Sequence, residues 1–204
     1  MSVAKIIPVS GVELPEKAVL IRLKTRLKAL EESEKRRLRG IMEQAFQYCR
    51  FAGCYTTVNL TVEADKVILA DQTEWHSAKL ADNLRGCSQA VMFGITLGEE
   101  LTTQTKKLFA AGNSADGVIF DAVGSESVEA AADKLELYLR QQFMRLHLAL
   151  NPMRFSPGYG NWAITAQQDF FRLLPMEKIG MTLSLQMFMR PEKSITAVIG
   201  IATE

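Results

Sequence analysis

Two period-two runs close this chain. Met181, Leu183, Leu185, Met187 and Met189 alternate with Thr182, Ser184, Gln186 and Phe188. After Arg190-Pro191-Glu192-Lys193, the residues Ile195, Ala197, Ile199 and Ile201 alternate again. Alternation places one set of side chains on each face of a strand. So short a connection pairs two strands antiparallel. The methionine stripe is predicted to be core rather than cofactor contact. A strand pair needs more strands and a covering layer to be stable, so the remaining sequence must supply both.

It does so in a regular order. Ile6 to Val9 reads as a short edge strand, and Pro15 suits the first turn of a helix. Leu20, Ile21, Leu23, Leu27 and Leu30 recur near helical spacing, giving a helix from Leu14 to Leu30. A second helix runs from the charged stretch at Glu31 to about Tyr48, with Ile41, Met42, Ala45 and Phe46 as its buried stripe. From Tyr55 the period changes to two: Val58, Leu60 and Val62 alternate with Thr57, Asn59 and Thr61. Val67 to Ala70 is the paired strand. Ser77 to Leu84 is a helix, Ala90 to Ile95 a buried strand, and Thr96-Leu97-Gly98 opens a helix ending near Gly112. A long helix then runs from Asn113 or Ser114 to about Leu148. Gly117 and Gly124 in it call for close packing or a kink. Thr165 to Leu174 is a short helix. The predicted fold class is α+β: a twisted, largely antiparallel sheet flanked by helices, with one long central helix. The 204 residues form one domain, with residues 1–50 a helical N-terminal part and residues 51–204 the α+β core.

Composition removes several functions. A net charge of +1 offers no field for nucleic acid or an anionic membrane surface. No apolar run reaches the length of a transmembrane helix. Three cysteines, Cys49, Cys54 and Cys87, fit a reducing cytoplasm better than a disulfide scaffold. They also lack the paired spacing of a zinc site. The two histidines, His76 and His147, lie far apart in sequence. His147 reads as a structural or cap-region residue and His76 as a surface one. Gly124-Ser125-Glu126-Ser127 offers a serine without the elbow glycine or a partner histidine, so it reads as a small-residue packing surface. No catalytic side chain is assigned.

One segment stands apart from this pattern. Arg154-Phe155-Ser156-Pro157-Gly158-Tyr159-Gly160 combines a fixed cation, a rigid proline, two glycines and an aromatic hydroxyl. Proline sets one backbone angle and glycine admits angles other residues avoid, so the segment is a shaped loop. A guanidinium fork suits a carboxylate. A tyrosine face suits a ring or a sulfonium. Arg154, Ser156, Gly158 and Tyr159 are therefore candidate contacts for a small zwitterion, with a plain surface turn as the alternative. Upstream, Glu126, Glu129, Asp133 and Glu136 share one helix face. Either that face is solvated and paired with Lys134 or Arg140, or Glu129 and Asp133 turn toward a cleft and meet an ammonium or sulfonium group.

The block Arg154 to Gly160 resembles the S-adenosylmethionine-binding loop of the activation domain of cobalamin-dependent methionine synthase. Asp121-Ala122-Val123-Gly124-Ser125-Glu126-Ser127-Val128-Glu129 is similar to the small-residue helix of stand-alone members of that family. Ile179 to Leu183 and Met189 to Ala197 resemble its closing hairpin, and Leu84 to Cys87 with Thr96 to Gly98 has the same helix–strand–helix form. The chain departs from the family at Ser184-Leu185-Gln186, where the family has Thr-Glu-Ser. It also departs at Ile199 and Gly200, where the family has a Tyr-Phe pair.

The resemblance implies that the chain binds S-adenosylmethionine and supports reductive remethylation of a cobalamin cofactor held by another chain. That partner would be a methionine synthase lacking its own activation domain, or a related corrinoid methyltransferase. A flavodoxin-like or iron–sulfur protein would supply the electron. The alternative is an interaction or small-molecule-sensing protein that keeps the fold without S-adenosylmethionine.

Overall fold

The computed structural model describes residues 4–25 and 30–202. Its centre is a seven-stranded antiparallel sheet. The strands are β1 (Lys5–Pro8), β2 (Ala52–Val62), β3 (Lys66–Leu69), β4 (Glu74–His76), β5 (Gln89–Thr96), β6 (Ala149–Leu150) and β9 (Ser194–Ala202). They lie in the order β4-β3-β2-β5-β9-β6. The long β2 carries β1 beside residues 52–55 and β3 beside residues 60–62. A separate two-stranded hairpin joins β7 (Thr182–Leu183) to β8 (Met189–Arg190).

Both faces of the sheet are covered. On one face lie α1 (Glu16–Arg22), α2 (Glu32–Phe46), α4 (Glu100–Ala110) and α5 (Ser114–Met144). There Val91, Phe93 and Ile95 of β5 and Ala197, Ile199 and Ile201 of β9 meet Phe120, Val123, Leu135 and Leu139 of α5. On the other face, α3 (Ala78–Asn83) and α6 (Gln167–Leu173) cover Cys54, Val58, Ala90, Met92 and Val198. Trp75, Trp162 and Phe170 form an aromatic cluster in that layer. Two-sided burial explains why Ala90 to Ile95 reads as a continuous apolar run.

The helix α5 is the long central helix. Its 31 residues span about 46 Å at 1.5 Å per residue. The helix runs without a break through both glycines. A Cβ at Gly117 would lie 2.9 Å from the Phe109 ring, and one at Gly124 2.4 Å from Leu101 Cδ2. Both glycines let α4 approach. The predicted packing surface around Gly124 is therefore present, with Ser127 wholly buried in it.

Several expectations change. The helix from Leu14 to Leu30 is shorter: α1 ends at Arg22, and Lys24 takes a left-handed φ of 51°. Leu27 lies outside the described residues. The long helix stops at Met144, after which His147 adopts φ 57° and donates its N–H to the Met144 carbonyl. That is a cap-region histidine. The strands β4 and β6 are too short to show a period.

The predicted pairing of residues 181–189 with 195–201 is the main correction. The chain turns back at Ser184 to Phe188, and β9 pairs with β5 over residues 194–201 instead. Met187 sits at φ 66°, and the Ser184 hydroxyl accepts from the Phe188 N–H. Of the stripe, Met181 is buried, Met189 is partly buried, and Leu185 is 92% exposed at the tip.

Candidate functional site

A cleft of about 600 Å³ opens where α5, the Arg154 loop and the start of β9 converge. The loop is fixed from below. Phe155 and Val198 exchange two backbone hydrogen bonds, of 2.9 and 2.8 Å. Gly158 and Gly160 adopt φ values of 89° and 60°, which let the chain curl back so that the Gly158 N–H reaches the Trp162 carbonyl. Pro157 is buried, whereas Tyr159 is two-thirds exposed at the cleft mouth.

Arg154 joins three carboxylates of α5 at the cleft wall. Its Nη1 donates to Asp133 Oδ1 at 2.6 Å and to Glu136 Oε2 at 3.1 Å, and its Nη2 donates to Glu129 Oε2 at 2.9 Å. Arg140 bonds Glu136 from the other side and ties the carbonyls of Leu150 and Asn151. Burial opposes the charge on Arg154, but hydrogen bonds to these carboxylates outweigh it and raise the pKa further. Three carboxylates against two guanidiniums leave the cluster one negative charge in excess. A guanidinium carries five N–H donors. Among the described residues three are engaged, which leaves Nε–H and one Nη2–H free for a ligand.

The predicted site residues are thus brought together in part. Arg154, Ser156, Tyr159 and Glu129 line the cleft. Asp133 joins them only through Arg154 and borders a neighbouring depression. Gly158 shapes the turn rather than the cleft wall. Of the two readings of the acidic face of α5, the pairing with Arg140 holds for Glu136, while Glu129 also borders the cleft. Each of the face's four carboxylates accepts from an arginine, Glu126 from Arg22 of α1.

Other cleft residues carried no signal in sequence. Lys193 Nζ donates to Asp121 Oδ1 at 2.6 Å and to Ser125 Oγ at 2.9 Å, closing one end of the cleft against α5. Ser194, Ile195 and Thr196 form its floor, and Gln167 contributes from α6. Only the register of β9 against β5 brings the first three there. The positions at which the chain departs from the family lie elsewhere. Ile199 faces the α5 core, and the space a Gly200 side chain would need is held by Cys87, Asn151 and Leu84. Leu185 is at the hairpin tip.

The remaining candidates stay apart from the cleft. His76 is exposed beside Glu74, and His147 is exposed beyond α5. All three cysteines are free and buried. Burial raises the thiol pKa of Cys49 to about 11 and of Cys54 to about 12, so neither is a nucleophile near neutral pH. Among the described residues no cluster of metal-ligating groups occurs, and no helix is long and apolar enough to cross a membrane.

No family model and no curated relative matches this chain. Among solved structures it is similar to the MetH reactivation domain bound to AdoHcy. The two are 15% identical, with a TM-score of 0.66 over 97% of this chain and 78% of that one. The α+β architecture, an antiparallel sheet flanked by helices with one long central helix, is the fold of the MetH reactivation domain.

Proposed function

We propose that this chain binds S-adenosylmethionine in the cleft beside α5 and presents it to a corrinoid held by a separate methyltransferase. The observation that carries the proposal is Arg154. It is held by Glu129, Asp133 and Glu136 at the cleft wall with two donors to spare. The similar domain binds AdoHcy, whose carboxylate and ammonium ends such a cluster complements. The spare donors of Arg154 take the ligand carboxylate. The excess negative charge on α5 favours the ammonium and sulfonium groups. Tyr159 covers the ligand from the mouth, and Ser156 offers a hydroxyl. A cleft of about 600 Å³ is of ordinary size for a nucleoside-bearing ligand.

Held by Arg154, Ser156, Tyr159 and Glu129, S-adenosylmethionine would supply its sulfonium methyl to a reduced corrinoid carried by the partner, and S-adenosylhomocysteine would remain in the cleft. This chain's residues orient the sulfonium and hold it in place; the electron comes from a flavodoxin-like or iron–sulfur protein. The partner is a methionine synthase without its own activation domain or a related corrinoid methyltransferase.

Calorimetric titration with S-adenosylmethionine and S-adenosylhomocysteine tests the first step. Binding that Tyr159→Ala weakens several-fold is expected. No binding by the native chain overturns the proposal. The second step is read by absorbance, as methylcobalamin formed on an oxidised corrinoid partner in the presence of reductant. Binding without that effect favours a sensor.

A further inference from the structure

Tyr159 stands between two glycines that both take left-handed φ values, 89° at Gly158 and 60° at Gly160. Glycine has more conformational freedom than any other residue. A tyrosine flanked in this way keeps one place only if the chain is fixed on both sides of the pair. On the N-terminal side, Phe155 exchanges backbone hydrogen bonds with Val198 of β9. On the C-terminal side, Trp162 is buried and its N–H donates to the Tyr159 carbonyl at 3.0 Å. Apolar packing is non-directional, so burial of Trp162 sets where the chain goes but not how the residues before it are turned. A directional hold comes from Asn161.

Asn161 Oδ1 accepts from the Ser77 hydroxyl at 2.7 Å and from the Lys79 N–H at 3.3 Å. Ser77 is the N-cap of α3 and is 2% exposed; its oxygen accepts from the Leu80 N–H at 3.0 Å. The first N–H groups of a helix have no partner within it, and a buried hydroxyl needs one as well. Asn161 meets both needs from more than 80 residues downstream. The Lys79 side chain also lies across Gly160, its Cδ 2.7 Å from where a Cβ would stand. Two consecutive residues, Gly160 and Asn161, thus seat the mouth of the cleft on α3.

We infer that Asn161 is a positioning residue, which holds Tyr159 over the cleft mouth before a ligand arrives. Asn161, Ser77 and Lys79 lie outside the cleft lining, so this action passes through Tyr159. A tyrosine already in place spares the ligand the cost of ordering the segment. Arg154 is next to Phe155 and keeps the anchor on β9, so losing Asn161 falls on Tyr159. The inference rests on the proposed S-adenosylmethionine site.

The test is a double-mutant cycle on the full chain, read by calorimetry with S-adenosylhomocysteine. Asn161→Ala is expected to weaken binding about fivefold in the native background. In the Tyr159→Ala background the same change should move affinity by less than about twofold. Asn161→Asp, which keeps the acceptor, should bind within about twofold of the native chain. A residue that merely supports the fold would weaken both backgrounds equally. That result, or no weakening by Asn161→Ala, or Asn161→Asp binding as poorly as Asn161→Ala, overturns the inference and leaves the site standing. Amide hydrogen exchange gives a readout free of ligand. In Asn161→Ala the Gly158 and Trp162 amides are expected to exchange faster while those of Phe155 and Val198 do not change. No binding by the native chain overturns the S-adenosylmethionine site, and unchanged exchange at Gly158 and Trp162 overturns the hold by Asn161. Should Asn161→Ala fail to fold by circular dichroism, Asn161→Ser, whose hydroxyl stops one bond short of the Oδ1 position, takes its place in every comparison.

Discussion

Arg154 has two tasks that a substitution can separate. It bridges three carboxylates of α5, and it lines the cleft with two N–H donors left over. Arg154→Ala leaves those carboxylates facing one another with only Arg140 nearby. The Arg154 side chain is three-quarters buried and Glu136 more so, so a loss of about 1–2 kcal/mol is expected. For a chain of this size that lowers the thermal midpoint by a few degrees, measurable by calorimetric melting. Arg154→Lys keeps the charge and recovers much of that stability, yet gives up the fork and with it ligand binding. Equal loss of stability in both variants would contradict this division. The shape of the loop was legible in sequence because proline and glycine announce backbone angles directly. The role of Arg154 was half legible: its cation is obvious, but its three partners lie 18 to 25 residues upstream and emerge only when α5 is laid beside the loop. Gln167 carried no signal at all, because a glutamine at a helix start is ordinary until its place in the cleft wall is known.

At the scale of elements, α5 and the closing hairpin show where pattern reading succeeds and fails. The spacing of α5 is long and uninterrupted, so its existence was plain, and its glycines report how near α4 comes. Gly124→Ala places a methyl 2.4 Å from Leu101 Cδ2. Leu101 is itself fully buried, so any shift it makes must be taken up by packed neighbours. A loss of about 1–3 kcal/mol is expected. Gly40, in the middle of α2, has nothing within 4 Å of the same position. Gly40→Ala is expected to raise stability by about 0.5–1 kcal/mol through helix propensity and the unfolded chain. Urea midpoints of the two variants, moving in opposite directions, check the packing of α5 against α4. The hairpin misled because five alternating apolar residues satisfy a strand template equally well when a turn divides them. Leu185 keeps the alternation but points into solvent, as does Phe188 of the opposite set. Pairing partners are a property of the whole sheet, and β9 gains eight partners on β5 where the hairpin would have offered it only an edge.

In the whole molecule, α5 gathers parts that sequence keeps far apart. Glu126 holds Arg22 across 104 residues, Glu129 holds Arg154 across 25, and Asp121 holds Lys193 across 72. The layered architecture was readable, since helix and strand periods are distinct along the chain and short connections pair strands antiparallel. The cleft was not, because it exists only at the meeting of those distant segments. That has a consequence for time as well as space. Contacts of long sequence separation are costly to close and tend to form late, so the cleft is among the last features to be completed on the way to the native state. A ligand there recognises the finished fold and little before it. Bound S-adenosylhomocysteine should therefore retard unfolding in stopped-flow denaturant jumps while leaving the refolding rate almost unchanged. The protein would gain persistence from its ligand without gaining speed in reaching the form that binds it.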